Sequence, residues 1–250
     1  MSQHISRRSM LGLAAGSALS VVVSQSLLGC AADAVTESST SSDSTGTTTS
    51  ASCVLTAALT EGPYFVDEKL YRSDIRSDPV TGEVSAGALL GLTFNVSRVA
   101  NGACTPLTGA YLDVWHCDAG GVYSDVSGAG TAEKFLRGYQ ITDASGVARF
   151  TTIYPGWYSG RAVHVHFKLR LFAGASTSYA FTSQSFFDDS LTDSVYMLSP
   201  YNARGTRDVR NTADSIYNSL SSSEKAALTL QTTVASGGYG GVINLGVQVG

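Results

Sequence analysis

Two of the four histidines in the chain stand in the tripeptide His164-Val165-His166. Successive side chains of a β-strand point to opposite faces, so both imidazoles lie on one face and can reach one metal ion. The pair alone is equally compatible with exposed or structural histidines. No Asp, Glu or Cys occurs from Tyr154 through Phe187, so the carboxylate that usually completes a two-histidine iron(II) site is missing locally.

Tyrosine is the local oxygen donor that could replace this carboxylate. Tyr158 precedes the histidine pair and follows the turn residues Pro155 and Gly156. A phenol has a pKa of about 10, so it is a poor ligand until a strong Lewis acid deprotonates it. Fe(III) prefers anionic oxygen, whereas Zn(II) prefers His and Cys. A set of two tyrosinates and two neutral histidines therefore indicates Fe(III), with one net positive charge left to attract a further anion.

The elements that must position these residues are predicted to be strands. Residues 163–172 alternate between apolar and polar side chains, a period of two that is typical of a half-buried strand. The predicted strands are Leu89–Val99, Ala110–His116, Ala148–Ile153, Val163–Phe172 and Val242–Val249, and the predicted helices are Ala213–Leu220 and Ser222–Leu230. We therefore expect an all-β fold, a β-sandwich with long loops and one or two short helices near the C-terminus.

Composition excludes several classes of protein. Of the 250 residues, 43% are hydrophobic and 14% are charged, and the formal net charge is −4. This chain is too apolar to be disordered throughout. It has no basic block, which argues against nucleic acid or an anionic membrane surface as a partner.

The first thirty residues are predicted to be an export signal. Arg7-Arg8 precede the apolar stretch 11–23, which is too short and too diluted for a spanning helix of about 20 apolar residues. Leu28-Gly29-Cys30 resembles a lipobox, whose cysteine is acylated and becomes the first residue of the mature chain. We expect residues 1–30 to be a twin-arginine lipoprotein signal and the protein to be exported and lipid-anchored to the bacterial cell envelope. The alternative is that Cys30 only lies near an ordinary cleavage site.

The rest of the chain divides into a linker and one domain. Thirteen of the 22 residues in 31–52 are Ser or Thr, without an apolar period, which predicts a flexible linker. Residues 53–250 are long enough to bury one sizeable core. If Cys30 is lipidated, Cys53, Cys104 and Cys117 remain, and an oxidising compartment favours a Cys53–Cys104 disulfide over three buried thiols.

Six stretches, in this order, resemble the intradiol ring-cleavage dioxygenases, in particular the β-type chain of protocatechuate 3,4-dioxygenase and its exported relatives. Each stretch is modest alone, but their order together is highly specific. They are Thr60-Glu61-Gly62-Pro63-Tyr64-Phe65, Arg72-Ser73-Asp74-Ile75, residues 115–124 (WHCDAGGVYS), residues 152–158 (TIYPGWY), residues 160–167 (GRAVHVHF) and residues 182–187 (TSQSFF).

The resemblance implies a non-haem Fe(III) site and a catechol that is cleaved by O2 between its two hydroxyl carbons to a cis,cis-muconate. The metal ligands that it implies are Tyr123, Tyr158, His164 and His166, and Tyr158 also accepts a substrate proton. It implies that Arg161 stabilises charge developing on the bound ring. The other implied substrate-binding residues are Tyr64, Gln184, Trp157 and Arg72, whereas Tyr154 is assigned to packing.

One departure from the family pattern leaves the particular catechol open. Only Ser159 and Gly160 separate Tyr158 from Arg161, a much shorter interval than in the protocatechuate enzymes. The helical amino-terminal domain of the catechol 1,2-type enzymes is also missing from the matching stretches.

Two other functions remain compatible with the residues. The first is a zinc hydrolase in which His116, His164, His166 and water form a normal zinc set, although no nearby carboxylate offers a base. The second is a non-catalytic, lipid-anchored β-sandwich that binds a sugar or an aromatic ligand, because a fold alone does not define a function. Visible colour discriminates among the three, since only a tyrosinate–Fe(III) protein is red-brown.

The lipid anchor leads to a direct prediction. We expect Cys30→Ser to release a folded, active domain, because the Ser/Thr-rich linker contributes nothing to a core. The measurement is incorporation of radiolabelled fatty acid into the wild type and into Cys30→Ser. A wild type that takes up no label would show that Cys30 is an ordinary residue.

Overall fold

A computed structural model of the chain describes residues 54–235 and 237–249. Nine strands, three α-helices and two short 3-10 helices form within these residues. The strands are β1 (Leu89–Ala100), β2 (Ala103–Pro106), β3 (Tyr111–Trp115), β4 (Arg137–Ile141), β5 (Val147–Ile153), β6 (His164–Ala173), β7 (Ser176–Phe186), β8 (Gln231–Ala235) and β9 (Gly238–Val247), and the helices are α1 (Asp189–Tyr196), α2 (Ser215–Asn218) and α3 (Ser222–Leu228).

The strands form two sheets. In the first, β1 pairs in parallel with β9 on one edge, while β5 and β2 pair with successive parts of its other edge, and β8 pairs with β9. The second is a four-stranded antiparallel sheet in the order β4-β3-β6-β7. The prediction of an all-β sandwich with short helices near the C-terminus is confirmed.

Alternating apolar residues place the core between the sheets. Every second residue of β1 from Leu90 to Val96 is buried, and so are the apolar residues that alternate along β6. The ring of Phe94 on β1 lies 5.4 Å from that of Phe167 on β6 and 6.0 Å from that of Phe150 on β5. Phe94 therefore packs between the two sheets. The opposite face of the second sheet lies against the loops that hold the candidate site residues.

The predicted strand at residues 163–172 forms as β6, but the prediction that it is half-buried was wrong. The polar face of β6 is also covered, and His164 and His166 are each only 1% exposed. The segment that precedes β1 lies across this face. Lys168 Nζ lies 2.5 Å from Glu61, and Arg170 Nη1 lies 2.8 Å from Asp67. These ion pairs let a polar strand face be buried, which a period of two cannot reveal.

The helices differ in part from the prediction. Asp214 has extended backbone and caps the N-terminus of α2, so the predicted helix Ala213–Leu220 shrinks to Ser215–Asn218 after a separate 3-10 turn at Asn211–Ala213. Helix α3 begins with a capping box between Ser221 and Glu224. Helix α1 was not predicted, because its sequence is polar and short. No helix in residues 54–235 or 237–249 is long and apolar enough to cross a membrane.

Several predictions fall wholly or partly outside the described residues. The export signal, the acylated Cys30, the linker and Cys53 all lie there and stay predictions. Cys104 is disulfide-bonded. Cys117 is a free, buried thiol, so three buried thiols are excluded.

Candidate active site

Strand pairing brings the candidate residues to one end of the second sheet. Trp115 is the last residue of β3 and pairs with His166 on β6, which pairs in turn with Gln184 on β7. These three residues are therefore neighbours on the outer face of the sheet. Loops supply the remaining candidates, because Tyr123 follows β3 and Tyr158 follows β5.

The two histidine side chains meet at their Nε2 atoms. His164 Nε2 lies 3.0 Å from His166 Nε2 and 3.2 Å from the hydroxyl oxygen of Tyr158. The Tyr123 ring completes the group, with its centroid 5.6 Å from the Tyr158 ring and 6.1 Å from the His166 ring. The structure thus brings the four predicted metal ligands together.

The protonation states of the two imidazoles determine which of their nitrogen atoms can bind a metal. His164 Nδ1 lies 2.6 Å from the carbonyl oxygen of Ala162, so it carries the proton and Nε2 presents a lone pair. Burial, reinforced by the positive charge of Arg161, lowers the pKa of His164 to about 3. Burial and the neighbouring His164 lower the pKa of His166 well below its ordinary value. Both rings are therefore neutral at pH 7, and without a metal the proton of His166 can sit on Nε2 and donate to the lone pair of His164 Nε2 at 3.0 Å.

A metal ion fits this arrangement. Two imidazole nitrogens that each lie ~2.1 Å from one ion, at roughly a right angle, are separated by ~3.0 Å. The separation of His164 Nε2 from His166 Nε2 matches this value. The donor set therefore fits a metal on geometric grounds.

The two tyrosines favour a strongly charged ion. The buried Tyr123 hydroxyl has no hydrogen-bond partner among the described residues. Burial raises the pKa of Tyr123 well above its ordinary value and the pKa of Tyr158 to about 12. Both are neutral phenols unless a Lewis acid binds them, and an unpartnered buried hydroxyl costs about 1–3 kcal/mol. A hard trivalent ion would offset this cost better than zinc.

Aromatic contacts orient the tyrosine and histidine rings. Tyr64 stacks on Tyr123, with ring centroids 4.3 Å apart, and meets the Tyr158 ring edge-on at 6.0 Å. Trp115 stacks on His166 at 4.9 Å with an interplanar angle of 7°. The predicted substrate residue Tyr64 therefore lies against two of the four donors.

Arg137 was missed by the sequence analysis. Its buried guanidinium donates to the Ser124 hydroxyl at 2.9 Å and to the Tyr64 carbonyl at 3.2 Å. It thereby ties together the two segments that carry Tyr64 and Tyr123. A single arginine 13 residues after Ser124 gives no sequence signal for this role.

Arg161 and Gln184 form a hydrogen-bonded pair beside the histidines. Arg161 Nη2 donates to Gln184 Oε1 at 2.7 Å, and Gln184 Nε2 donates to the carbonyl of Thr60 at 2.8 Å. Arg161 Nε also donates to Asp214 at 2.7 Å. Asp214 is a second residue that the sequence analysis missed.

Not every predicted substrate residue reaches the cluster. Trp157 lies beside Tyr158 on the same turn, half-buried, with the Arg204 guanidinium 4.4 Å above its ring. The prediction that Arg72 binds substrate is not supported by its contacts. Its guanidinium donates to the carbonyls of Ser77, Lys134 and Arg137, so four of its five N–H hydrogens hold loops together.

Two further residues take structural roles. Tyr154 is buried in the core, where its hydroxyl lies 2.8 Å from Thr192 Oγ1, in keeping with the packing role assigned to it. The zinc set that includes His116 was wrong, because Nδ1 of His116 is bonded to the Cys117 carbonyl at 2.8 Å and Nε2 to Thr152 at 2.6 Å. Across residues 54–235 and 237–249, no group of three His, Cys, Asp or Glu side chains is arranged to hold a metal.

Comparison with known proteins identifies the same family. A dioxygenase family model matches residues 60–198. An intradiol ring-cleavage dioxygenase from Tetranychus urticae has a similar structure, with a TM-score of 0.67 and 28% identity over 78% of this chain and 95% of that one. The dioxygenase domain of a dioxygenase–carbohydrate-binding protein fusion from Streptomyces sp. SirexAA-E has a TM-score of 0.56 and 28% identity over 79% of this chain and 100% of that one.

A curated relative agrees with these matches. The chain is 31% identical over 103 residues to a chlorocatechol 1,2-dioxygenase from Pseudomonas putida. That match spans 33% of this chain and 39% of the relative's length. The family model covers more than half of the chain, and the described fold agrees with it. This chain belongs to the intradiol ring-cleavage dioxygenases.

Proposed function

We propose that the protein is a non-haem Fe(III) enzyme that cleaves a catechol with O2 between the two hydroxyl carbons, giving a cis,cis-muconate. One observation carries the proposal: two neutral imidazole nitrogens stand 3.0 Å apart beside the Tyr158 hydroxyl and the unpartnered Tyr123 hydroxyl. These four groups are Tyr123, Tyr158, His164 and His166, and they would hold the iron. The bound ferric ion would draw electron density from the catechol and so make its ring reactive toward O2.

The residues of the chain handle the substrate protons. Catechol must lose protons to bind as an anion, and Tyr158 is the donor placed to accept one at its hydroxyl oxygen. It lies on a turn and is half-buried, whereas Tyr123 is buried and packed under Tyr64. Burial raises the pKa of Tyr158 to about 12, so a phenolate freed at this position takes up a proton readily. Tyr123 would stay in place throughout.

Arg161 supplies the electrostatic part of the mechanism. Two of its nitrogens are held by Asp214 and Gln184, and its Nη1 hydrogens have no partner within the described part of the chain. A fixed guanidinium beside the pocket stabilises negative charge that develops on the ring in the transition state. Preorganised donors of this kind contribute on the order of 100-fold to 1000-fold in rate.

The lining of the pocket favours an uncharged catechol. The loop between Tyr158 and Arg161 is a two-residue turn, and Gly160 there has a φ of +87°. Beside it lie charges of opposite sign, since Asp208 accepts hydrogen bonds from Ser159 and Gly160 and Arg204 covers Trp157. The negative charge of Asp208 offsets the positive charge of Arg204, so the described residues on this side offer no net positive charge to a ring carboxylate.

The proposed place of action rests on the sequence. We infer that the enzyme acts outside the cytoplasm, anchored through Cys30, because the first thirty residues carry a twin-arginine start and a lipobox. The fatty-acid labelling of Cys30→Ser described above tests this inference.

The ligand assignment predicts opposite outcomes for two tyrosines. We expect Tyr123→Phe and His164→Ala to lose iron or its visible absorption band, since each removes a donor. Tyr154→Phe is the matched control and should keep both, because its hydroxyl bonds Thr192 in the core. Elemental analysis and a visible spectrum of each purified protein decide the question, and a coloured, iron-replete Tyr123→Phe protein would refute the assignment.

The stacking of Trp115 predicts a change in metal affinity. His166 Nδ1 has no hydrogen-bond partner among the described residues, so the Trp115 ring is what orients this imidazole. We expect Trp115→Leu to release iron to a chelator about 10–100 times faster, the range typical of residues that orient metal ligands. Phe172→Leu changes an exposed aromatic residue on β6, the strand that carries His166, so it is the control and should release iron at the wild-type rate. Equal rates for both variants would show that the stack does not support the metal.

The charge balance of the pocket predicts substrate preference. We expect catechol, 4-methylcatechol and bulkier neutral catechols to be cleaved at least as well as protocatechuate, because Asp208 offsets the positive charge of Arg204 beside the short turn. The measurement is kcat/KM for these substrates and hydroxyquinol under identical conditions. A preference of about tenfold or more for protocatechuate, equivalent to ~1.4 kcal/mol, would contradict this description of the pocket.

A further inference from the structure

Asp214 is a fully buried carboxylate that contacts the proposed catalytic arginine. It is 0% exposed and lies 53 residues beyond Arg161 in the chain, yet its Oδ2 atom accepts a hydrogen bond from Arg161 Nε at 2.7 Å. A buried carboxylate stays ionised only when it is paired and hydrogen-bonded, so Asp214 depends on partners such as Arg161.

Each oxygen of Asp214 accepts two hydrogen bonds. Oδ1 accepts from the backbone N–H groups of Ile216 and Tyr217 at 2.8 and 2.9 Å, which caps helix α2. Oδ2 accepts from the Ala162 N–H at 2.8 Å as well as from Arg161. Burial alone would raise the pKa of Asp214, but these N–H groups and the Arg161 guanidinium lower it below its ordinary value. The carboxylate is therefore ionised and has a single orientation.

This orientation determines where the Arg161 guanidinium points. The group is planar, and Asp214 fixes it at Nε while Gln184 fixes it at Nη2 with a 2.7 Å hydrogen bond. With two positions of a rigid fork held, the remaining Nη1 edge has one direction. The Arg161 side chain is still 17% exposed, so part of it is accessible to a ligand.

The Ala162 backbone lies between Asp214 and a proposed metal ligand. The Ala162 N–H donates to Asp214, and the Ala162 carbonyl accepts the Nδ1 proton of His164 at 2.6 Å. The bond that sets the His164 tautomer is therefore made by the Ala162 carbonyl and not by Asp214, so a change of the Asp214 side chain should leave the Nε2 lone pair in place.

We propose that Asp214 is the positioning residue of the active site, which holds Arg161 with its Nη1 edge toward the bound ring. The inference rests on the proposed function, since it assigns Asp214 a role in ring cleavage through Arg161. It also predicts that Asp214 acts on the reaction rate rather than on substrate affinity or folding.

The test compares Asp214→Asn with Asp188→Asn. Both aspartates cap a helix, and Asn is itself a good cap, so both variants keep that function. Only Asp214→Asn places an amide N–H group against the N–H donors of Arg161 and Ala162. We expect Asp214→Asn to lower kcat for catechol about 10–100-fold, with iron content and KM changed less than about threefold, and Asp188→Asn to keep the wild-type kcat.

A double-mutant cycle separates positioning from a general structural effect. In an Arg161→Gln background we expect Asp214→Asn to cause no further loss of kcat, because the residue it positions is already gone. An equal loss in both backgrounds, or no loss in the wild-type background, overturns the proposal. If Asp214→Asn does not fold, Asp214→Ser keeps the helix cap and takes its place in the same cycle.

A measurement that does not depend on catalysis distinguishes the positioning role of Asp214 from the proposed function. In isotope-labelled protein, the Arg161 Nε–H proton should exchange with water at least about tenfold faster in Asp214→Asn than in the wild type, because a buried ion pair protects it. A wild type that lacks iron and cleaves no catechol refutes the proposed function alone. Unchanged exchange of this proton refutes the positioning by Asp214, whatever the activity.

Discussion

Two neutral imidazole nitrogens face each other across 3.0 Å in a buried pocket, and the rest of the site is arranged around that contact. Without a metal the buried hydroxyl of Tyr123 has no hydrogen-bond partner among the described residues. Burial keeps both imidazoles neutral, so each has one nitrogen lone pair that can bind a metal. Two neutral imidazoles and two phenol oxygens in one cluster form a donor set that suits a hard metal ion.

The fold buries the two histidines by covering both faces of the second sheet. One face of β6 packs in the core against the other sheet, and the opposite face carries the two histidines. The chain covers that second face with the segment that precedes β1, held by ion pairs from Glu61 to Lys168 and from Asp67 to Arg170. Because this cover also carries Tyr64, the same segment excludes water from the histidines and lines the proposed substrate pocket.

Much of this could be predicted from the sequence, for identifiable reasons. The period of two in β6 placed His164 and His166 on one face, and the order of the motifs pointed to Tyr123 and Tyr158. Strand β7 was missed because its Ser and Thr residues hide the alternation. Arg72 was predicted to bind substrate because it stands in a motif. A motif does not show that the Arg72 guanidinium donates hydrogen bonds to backbone carbonyls.

The missed residues share one property, which is that their partners are distant in the chain. Asp214 lies 53 residues from Arg161, and Arg137 lies 73 residues from Tyr64. Local patterns carry no information about such contacts, since only the tertiary fold brings the groups together. The proposed metal ligands can thus be predicted from local sequence, whereas the residues that hold them in place cannot.

The central claim is that Tyr123, Tyr158, His164 and His166 bind one ferric ion. Anomalous diffraction from crystals of the purified protein, measured on both sides of the iron absorption edge, tests it most directly. We expect a single iron peak bonded to the hydroxyl oxygens of both tyrosines and to Nε2 of both histidines. The absence of iron from this position, or a zinc peak that includes His116 among its ligands, would contradict it.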